Sequence, residues 1–509
     1  MPRQSEKPLK RHTMNAPELP APNTRFLHDD MLLSTEAART LFHEHASSAP
    51  IVDVHNHLSP AEIAEDRVWE TITDLWLGDD HYKWKAMRLA GFDESLITGA
   101  ADPFDKFVAW AETVSRSIRN PLYVWTHLEL RRVFGIDLPL NRSTAGEIWD
   151  ETNRQLPSWS ALQLLKHFRV RVVATTDDPG DLLAHHAKHA ANVGASGTTD
   201  SSTAITAITA ITAMVPTFRP DAAHRLLDDP TAWNAWAKQL GASERTTVTN
   251  LTSLLGALTS SYARFAAHGC RASDHGLSTI PDRPRDPATA DRVIRSVVEG
   301  QPASETEQEI VLLEVITLAA QLATANDSVM QLHLGPLRNV SPRLLQLVGR
   351  DAGADVMNDS RHAFGLARFL GDLESAGTLP RTILYNLNPA DNAMFATLAG
   401  AFSRPGVKSL VQWGPPWWFN DHEEGMRRQL DDLSQIGQLA GFVGMLTDSR
   451  SILSMTRHEL FRRILCDAIG RDVEAGLVPD DREWLGAMVR DICVANAVNY
   501  FGFPIGWSH

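Results

Sequence analysis

Two histidines stand two positions apart near the start of the chain, His55 and His57, directly after an apolar run at residues 51–54. The β-branched residues of that run and the following Ser59-Pro60 predict a short buried strand. Side chains alternate along a strand, so both imidazoles point to the same side at its end, whereas on a helix they would diverge by about 200°. Paired imidazoles suit a divalent transition metal such as zinc. An isolated His-x-His pair fits two polar residues at a strand end equally well.

A carboxylate and a guanidinium occur close together near the other end of the chain, at Asp448 and Arg450. Two histidines with one carboxylate form a common open metal site, so His55, His57 and Asp448 are the expected ligands. Alternatively, Asp448 stays off the metal and acts as a base. The planar fork of Arg450 suits a substrate carboxylate, and the alternative is an ion pair with Asp448. Arg219 has the same chemistry in a weaker position.

Two further features have alternative interpretations. His333 lies between two leucines, where a buried histidine is usually structural, but its position near a strand end favours a functional role. The run Trp417-Trp418-Phe419-Asn420 fits a lid over a site or a plug in a barrel mouth, and the sequence does not decide between them.

The elements that must position these residues are short apolar runs that end in polar, glycine or proline residues. Counting the first strand, there are eight of them: residues 51–57, 170–176, 214–218, 267–272, 329–334, 382–388, 407–413 and 442–447. Helix-like segments such as 361–375, 423–439 and 456–475 separate most of them. This alternation predicts an α/β fold, a closed parallel (β/α)8 barrel of the TIM type. The polar residues that follow its strands should converge on one face.

The chain divides into four predicted parts. Residues 26–57 and 170–509 supply the catalytic barrel. Residues 58–169 carry no convincing strand and are too long for a loop, which predicts a helical insertion after the first strand. Residues 1–25 read as a mobile tail. Residues 194–213 contain Thr-Ala-Ile repeats and predict a low-complexity surface insert.

Composition narrows the class of partner and compartment. The 509 residues carry a formal net charge of −14, which argues against nucleic acid or an anionic membrane as a partner. Three scattered cysteines fit a reducing cytoplasm and no disulfide framework. The first 25 residues lack the apolar core of a signal peptide. The longest apolar stretch, around residues 311–323, contains Glu314 and looks too short to span a bilayer.

Taken together, the motifs resemble those of the uronate isomerase family, also called glucuronate isomerase, within the amidohydrolase superfamily. The resemblance covers residue 26 to the C-terminus, while the tail and the Thr-Ala-Ile insert have no counterpart in it. The matching stretches are VDVHNHLSP, DDHYKWKAMR, TTDDP, TFRPD, GCRASDHG, MQLHLGPLRN, TILYNLNPADN, WWFNDHEEGMRRQL and VGMLTDSRSILSMTRHELFRRILC.

The resemblance implies an aldose-ketose isomerase that interconverts D-glucuronate with D-fructuronate, and D-galacturonate with D-tagaturonate, in hexuronate catabolism. Such a reaction moves a proton between C2 and C1 through an enediol. It needs an acid/base group, an electrophile and a carboxylate anchor. The resemblance implies a divalent metal, usually zinc, and leaves open whether the reaction strictly requires it.

Carried onto this chain, the resemblance assigns residues to roles. His55, His57 and Asp448 match the metal and proton-transfer positions, and His333 matches a histidine near the metal. Tyr82, which no pattern singles out, and Arg450 match other active-site positions. The catalytic candidates are thus Asp448, His55, Tyr82, Arg450 and His333, and the candidate substrate contacts are Arg450, Arg219, His81, Trp418 and Asn388. We expect a hexuronate as the small-molecule partner and a homo-oligomer.

Two other functions remain to be weighed. A metal-dependent hydrolase on the same barrel generally presents a further histidine from the sixth strand or a bridging lysine, to generate a bound hydroxide. Here the sixth strand ends in Tyr385-Asn386-Leu387-Asn388, which supplies neither. A catalytically silent sugar-acid-binding protein is the third possibility, and the intact chemical residues argue against it.

Overall fold

The computed structural model describes residues 26–196, 212–227 and 229–505. The predicted tail at residues 1–25 lies outside the described residues. So does most of the predicted Thr-Ala-Ile insert, at residues 197–211.

The strands of the described chain are short and largely buried. They are β1 (Ile51–Asp53), β2 (Val170–Ala174), β3 (Ala213–Val215), β4 (Ala272–Leu277), β5 (Val329–Leu334), β6 (Pro336–Leu337), β7 (Val356–Met357), β8 (Arg381–Asn386) and β9 (Val411–Trp413).

Apart from the β6–β7 ribbon, which is antiparallel, these strands pair in parallel. One group runs β1-β2-β3 and the other β4-β5-β8-β9. Phe218, just after β3, joins the two groups, because its N–H donates to the Ala272 carbonyl at 3.0 Å and its carbonyl accepts from Asp274 N–H at 2.9 Å. Parallel strands in this order, with helices between them, form the predicted TIM-type α/β fold.

The eighth predicted strand, residues 442–447, does not form a regular ladder among the described residues. Gly444 and Asp448 both have positive φ, at 78° and 47°, which interrupts an extended conformation. The Thr447 N–H donates to the Asp53 carboxylate at 2.8 Å instead of a strand carbonyl. The chain then meets the first strand's exit, where Asp448 N–H donates to the His55 carbonyl at 3.1 Å.

The fourth predicted strand was placed about five residues too early. Residues 267–272 were expected to be extended, but the helix Leu251–Ala267 ends there and β4 begins at Ala272. The run begins at the exposed C-terminal end of that helix, and within residues 267–272 only Cys270 and Ala272 are buried. Asp274 and His275 therefore lie within β4 and not beyond its end.

Helices connect the strands and make up nearly all the ordered structure between β1 and β2. The α-helices are Glu36–Thr40, Pro60–Ala64, Ile72–Leu77, His81–Leu89, Pro103–Arg116, Pro121–Glu129, Ala145–Gln155, Ala161–His167, Ala184–Ser196, Pro230–Ser243, Leu251–Ala267, Pro287–Val298, Glu305–Ala325, Pro342–Leu347, His362–Ser375, Asn392–Ala401, Glu423–Ile436, Thr456–Glu474, Arg482–Arg490 and Asn496–Phe501.

Shorter helical turns complete the chain. The 3₁₀ turns are Glu94–Leu96, Leu156–Ser158, Pro220–His224, Pro389–Asp391, Trp418–Asn420, Leu439–Gly441 and Ile452–Met455. The π-helical turns are Leu41–Ala46, Leu130–Phe134 and Asp491–Ala495.

The helices between β1 and β2 share a hydrophobic core with the strands. Phe107 and Trp110 from those helices belong to the same buried cluster as Leu332 of β5 and Trp413 of β9. The helix His81–Leu89 is capped by Asp80, whose side chain accepts from the N–H groups of Tyr82 and Lys83. The division of the chain into a barrel and an insertion subdomain stays a prediction.

The apolar stretch around Glu314 forms a longer helix than the sequence suggested, Glu305–Ala325, of 21 residues. By length and composition alone it is able to cross a membrane, but 56% of its most apolar window is buried inside the protein. Glu314 is itself 1% exposed and forms an ion pair with Arg285. Both features are typical of a core helix in a soluble protein.

Candidate active site

A cavity of about 360 Å³ lies at the carboxyl ends of the strands. Among its lining residues are most of the predicted site residues, namely His55, His57, His81, Arg219, His333, Trp418, Asp448 and Arg450. The strand ends therefore bring together side chains that are far apart in the sequence, as the barrel geometry requires.

The two histidines after β1 meet the aspartate near the end of the chain. Nε2 of His55 and Nε2 of His57 each lie 3.1 Å from the same oxygen, Asp448 Oδ1. The imidazole rings are nearly perpendicular, with centroids 5.2 Å apart. The three donor atoms thus converge on one point of the cavity wall.

These donor atoms fit a metal ion. They lie within 4.8 Å of one another, and ligand atoms around a tetrahedral zinc at about 2.0–2.1 Å are themselves about 3.3 Å apart. Among the described residues, Nδ1 of His55 is buried and has no hydrogen-bond partner, so no hydrogen bond there fixes the tautomer of this ring. The donor set of two imidazoles and one carboxylate therefore suits a divalent transition metal.

The protonation states of His57 and Asp448 also favour a metal site. Burial lowers the pKa of His57 to about 4, so this imidazole is neutral near pH 7, which is the protonation state in which histidine binds a metal. Burial opposes ionisation of Asp448, but hydrogen bonds from His55 and His57 outweigh it and hold the pKa of the carboxyl well below its usual range. For His55, burial lowers the pKa, but the neighbouring Asp274 and Asp448 raise it above its ordinary value.

Asp274 of β4 joins the histidines to Arg219. Its Oδ1 lies 2.7 Å from Nδ1 of His333, and its Oδ2 lies 3.0 Å from Nη1 of Arg219 and 3.8 Å from Nδ1 of His55. The donor atoms of His55, Asp274 and His333 also converge within 4.8 Å. Because Asp274 already has an arginine and an imidazole as partners, we interpret this group as an ion-pair network.

His333 is held on three sides. Its ring stacks on Tyr385 with centroids 4.2 Å apart and an interplanar angle of 6°, and it also contacts Trp417 and His55. The hydrogen bond to Asp274 fixes Nδ1 as the protonated nitrogen, and Nε2 has no hydrogen-bond partner. His333 thus presents a fixed acceptor beside the His55 imidazole.

Arg450 does not pair with Asp448, so that alternative was wrong. Its Nη2 lies 3.4 Å from Oδ2 of Asp351, on the segment between β6 and β7. Arg219 is more tightly engaged, because its Nε also lies 2.9 Å from Asp221. Of these two arginines, Arg450 has the weaker internal partner.

Tyr82 and Asn388 are not among the lining residues of the cavity. The Tyr82 ring lies behind the wall, 4.7 Å from the His81 ring and 6.4 Å from the Trp418 ring. Asn388 caps the turn Pro389–Asp391 and donates to the Asn358 carbonyl at 3.1 Å. The structure therefore does not bring Asn388 to the cavity wall, and its contact with substrate stays a prediction.

The tryptophan pair forms part of the cavity wall. Trp417 and Trp418 are 4% and 7% exposed, and both line the cavity. Trp417 Nε1 donates to the Asn386 carbonyl at 3.0 Å, which anchors the pair to the end of β8. In this conformation the two tryptophans therefore form a fixed part of the cavity wall.

Sequence reasoning missed several residues of this wall. Arg338, Asn339, Arg350 and Asp351 line the cavity from the segment between β6 and β7. Arg338 lies within a stretch that carried the family resemblance, which was a usable signal. Asp351 has no periodicity or motif around it, so only the folded chain reveals it.

A parallel α/β barrel with two histidines and a distant aspartate converging at the strand ends defines a TIM-type enzyme with a potential metal site. The glucuronate isomerase family model matches residues 23–501. The uronate isomerase of Vibrio vulnificus (strain YJ016) is 45% identical over 480 residues, covering 94% of this chain and 98% of that protein. That of Salmonella arizonae is 44% identical over 483 residues, covering 94% and 99%. The chain belongs to the glucuronate isomerase family and is an isomerase.

Solved structures agree with this membership. The uronate isomerase of Thermotoga maritima superposes with a TM-score of 0.85 at 33% identity, covering 94% of this chain and 99% of that one. The glucuronate isomerase of Caulobacter crescentus superposes with a TM-score of 0.83 at 24% identity, covering 94% and 98%, which supports the fold.

Proposed function

We propose that this protein interconverts D-glucuronate with D-fructuronate, and D-galacturonate with D-tagaturonate, by proton transfer through an enediol. The observation that carries the proposal is the convergence of His55, His57 and Asp448 beside Arg450 in one cavity. An aldose-ketose isomerase needs an acid/base group next to a carbonyl electrophile and an anchor for the far end of the sugar.

The anchor is Arg450. Its guanidinium lines the cavity and offers a planar fork of N–H donors to the hexuronate carboxylate. Arg219 also lines the cavity, but its ion pairs with Asp221 and Asp274 make it a second, less available cation. Trp418 and His81 supply the wall against which the sugar lies.

The proton is moved by Asp448. The carboxylate is ionised at neutral pH, which is the form that a base requires. His55 lies beside it as one of the residues that would hold the metal, and His333, also fixed in orientation, would accept a hydrogen bond from a sugar hydroxyl through Nε2. The catalytic role assigned to Tyr82 stays a prediction, and its ring supports His81 and Trp418 from behind the wall.

His55, His57 and Asp448 would hold a divalent metal, which we propose to be zinc. A metal held there would supply Lewis-acid polarisation of the sugar carbonyl oxygen, which would make the C2 proton more acidic. The chain's own residues bind the sugar acid, orient it, and take and return the proton.

A hydrolase on the same barrel is less well supported. Tyr385 at the end of β8 stacks on His333 at the place where hydrolases of this kind present a metal-ligating side chain. Within the described residues that line the cavity, there is no lysine to bridge two ions.

The test is to measure ketose formation from D-glucuronate and D-galacturonate, alongside hydrolysis of sugar lactones and amides, by the purified protein. We expect ketose formation that Asp448→Asn removes and that the exposed-site variant Asp359→Asn keeps. Hydrolysis without ketose formation would show that the proposal is wrong.

Compartment, partners and oligomeric state complete the proposal. We place it in the cytoplasm, without a nucleic-acid or membrane partner, and as a homo-oligomer. Exposed apolar side chains, which are typical of contact surfaces, occur along the chain from β6 through β7: Leu337, Val340, Leu345, Leu347, Val356 and Met357. Light scattering after size-exclusion chromatography checks the oligomer, and a monomer at micromolar concentration would contradict it.

A further inference from the structure

Arg450 already has a carboxylate in front of it. The segment 336–357, here called the cap segment, leaves the barrel at β6, returns at β7, and places Asp351 Oδ2 at 3.4 Å from Arg450 Nη2. Both residues line the same cavity as His55, His57 and Asp448. The group proposed to anchor a substrate carboxylate is therefore paired with a carboxylate of the protein itself.

The surroundings of Asp351 resemble a carboxylate-binding subsite. Burial works against ionisation, but Arg450, Arg338 and His81 outweigh it, and the pKa of Asp351 is lowered. Two arginines and an imidazole around one carboxylate are the chemistry that a sugar acid would need. The Asp351 carboxylate occupies this position in the described structure.

The cap segment is held in place without Asp351. The carboxylate of Asp355, which is 2% exposed, accepts from Arg338 Nη1 at 2.8 Å and from the Asn339 N–H at 2.7 Å. The Ala352 carbonyl accepts from Arg88, and Gly353 packs so closely on His81 that an added Cβ would lie 2.8 Å from its carbonyl oxygen. These contacts fix the backbone directly after Asp351 and tie it to the start of the cap segment.

The Asp351 side chain, by contrast, is free to rotate away from Arg450. It is 51% exposed, and its 3.4 Å contact with Arg450 is long for an ion pair with a hydrogen bond. A side-chain rotation towards solvent would release Arg450 without moving the cap backbone. Asp351 therefore differs from Asp355, which is buried and ties the segment together.

We propose that Asp351 is a placeholder for the substrate carboxylate, which displaces it from Arg450 when a hexuronate binds. This inference rests on the proposed function of the site. The placeholder gives specificity, because a ligand without a carboxylate would leave the Arg450–Asp351 pair intact and gain nothing from Arg450. It also lowers the affinity for the sugar acid, since binding must first break an existing ion pair.

The expected gain on removing Asp351 is modest. Ion pairs between partly exposed groups typically shift an equilibrium by no more than about fivefold. Asp351→Asn and Asp351→Ala should therefore lower KM for D-glucuronate by about two- to fivefold. The alanine variant is the control for Asp351→Asn, because alanine has no amide that forms a new hydrogen bond.

A direct measurement of ligand binding tests the placeholder role of Asp351 independently of catalytic turnover. D-Gluconate carries a carboxylate and a polyol chain but no aldehyde, and D-sorbitol replaces the carboxylate with a hydroxymethyl group. By isothermal titration calorimetry, both Asp351 variants should bind D-gluconate about two- to fivefold more tightly than the wild-type protein. D-Sorbitol binding should not change, and adding Arg450→Met should remove the gain.

The control for net charge is Asp359→Asn, which removes an exposed carboxylate that does not line the cavity. An equal gain in that variant would overturn the proposal, because the effect would then come from overall charge. Unchanged or weaker D-gluconate binding by both Asp351 variants would also overturn it. If the wild-type protein forms no ketose but the Asp351 variants bind D-gluconate more tightly, the proposed function fails and the placeholder stands.

Discussion

Nε2 of His55 and Oδ1 of Asp448 lie 3.1 Å apart, although 393 positions separate the two residues in the chain. The pairing follows from the backbone, because Asp448 N–H donates to the His55 carbonyl and His57 N–H donates to the Ser449 carbonyl. Asp448 has a φ of 47°, an uncommon conformation for a residue with a side chain. Neighbouring contacts hold that conformation and so aim the carboxylate at the imidazoles.

The division of labour between Asp448 and Arg450 predicts different kinetic defects. Asp448→Asn keeps the size of the side chain but cannot accept the proton, so exchange of the C2 proton with solvent should fall below detection. Arg450→Met removes the carboxylate anchor and should mainly raise KM. Loss of deuterium from C2-labelled D-glucuronate, followed by NMR, measures the first effect, and steady-state kinetics measures the second. Equal effects of both variants on binding alone would contradict this assignment.

The strand ends were the part of the site that the sequence could reveal. Alternation of apolar runs and helices predicted the fold class, and barrel geometry then required His55, His57, His333 and Asp448 to meet. These residues do line one cavity. The reasoning succeeded for the histidines because β1 and β5 bring them to one edge of the sheet, whereas Asp448 follows an irregular segment and is placed by its backbone hydrogen bond to His55.

Reasoning from strand ends did not identify the loop residues that line the cavity. Asp351 and Arg338 reach the cavity from the cap segment, whose path is set by the buried Asp355 and by contacts with the helix His81–Leu89. The misplacement of β4 has a related cause, since residues 267–272 join the C-terminal end of a helix to the start of β4, and only Cys270 and Ala272 among them are buried. So short a run does not show by its pattern where the helix ends and the strand begins.

Arg457 is predicted to position the site from behind. Its guanidinium lies 3.8 Å from the Trp125 ring and 5.6 Å from the Tyr82 ring, and its Nη1 donates to the carbonyl of Thr447, next to Asp448, at 3.0 Å. Arg457→Met should lower kcat by roughly 10–100-fold, because small misplacements of reacting groups are costly. Steady-state kinetics with D-glucuronate as substrate measures the decrease in kcat.

A double variant separates positioning from stability. Arg457 also lies 3.1 Å from Asp421, and its removal alone leaves a buried carboxylate, at a cost of about 3–5 kcal/mol in the free energy of unfolding. Burial already raises the pKa of Asp421 to about 7, although Arg457 opposes this. Arg457→Met with Asp421→Asn should regain stability in urea but not kcat. Recovery of kcat along with stability would make the role of Arg457 purely structural.

Metal removal should destabilise the protein through the histidine pair. An ion that binds only the folded state adds about 2.7 kcal/mol to the free energy of unfolding at a free concentration of 100 Kd. Dialysis against a chelator should therefore lower the Tm of the wild-type protein, and readdition of zinc should restore it. His57→Asn should show neither change, because it lacks one of the converging nitrogens. A wild-type Tm that changes with neither the chelator nor zinc would contradict the predicted metal site.

The last prediction concerns Asp177, a cavity residue that is 5% exposed. Burial raises its pKa to about 7, although the Thr175 hydroxyl, which donates to Oδ2 at 2.7 Å, acts in the opposite direction. His186 does not compensate, because burial lowers its pKa to about 4 and leaves it neutral. The folded protein therefore keeps a proton on Asp177 that the unfolded chain, with an ordinary aspartate pKa, releases above about pH 4.

Because the folded state binds the extra proton, the free energy of unfolding falls as the pH rises from about 4 to 7. Asp177→Asn is neutral at every pH and keeps an oxygen to accept from Thr175, so it should lack this contribution. Between pH 5 and pH 8, urea denaturation should show the wild-type protein losing about 2–3 kcal/mol more than Asp177→Asn. Asp359→Asn serves as the exposed control and should follow the wild-type curve. Parallel curves for Asp177→Asn and the wild-type protein would mean that Asp177 is ionised in the folded state.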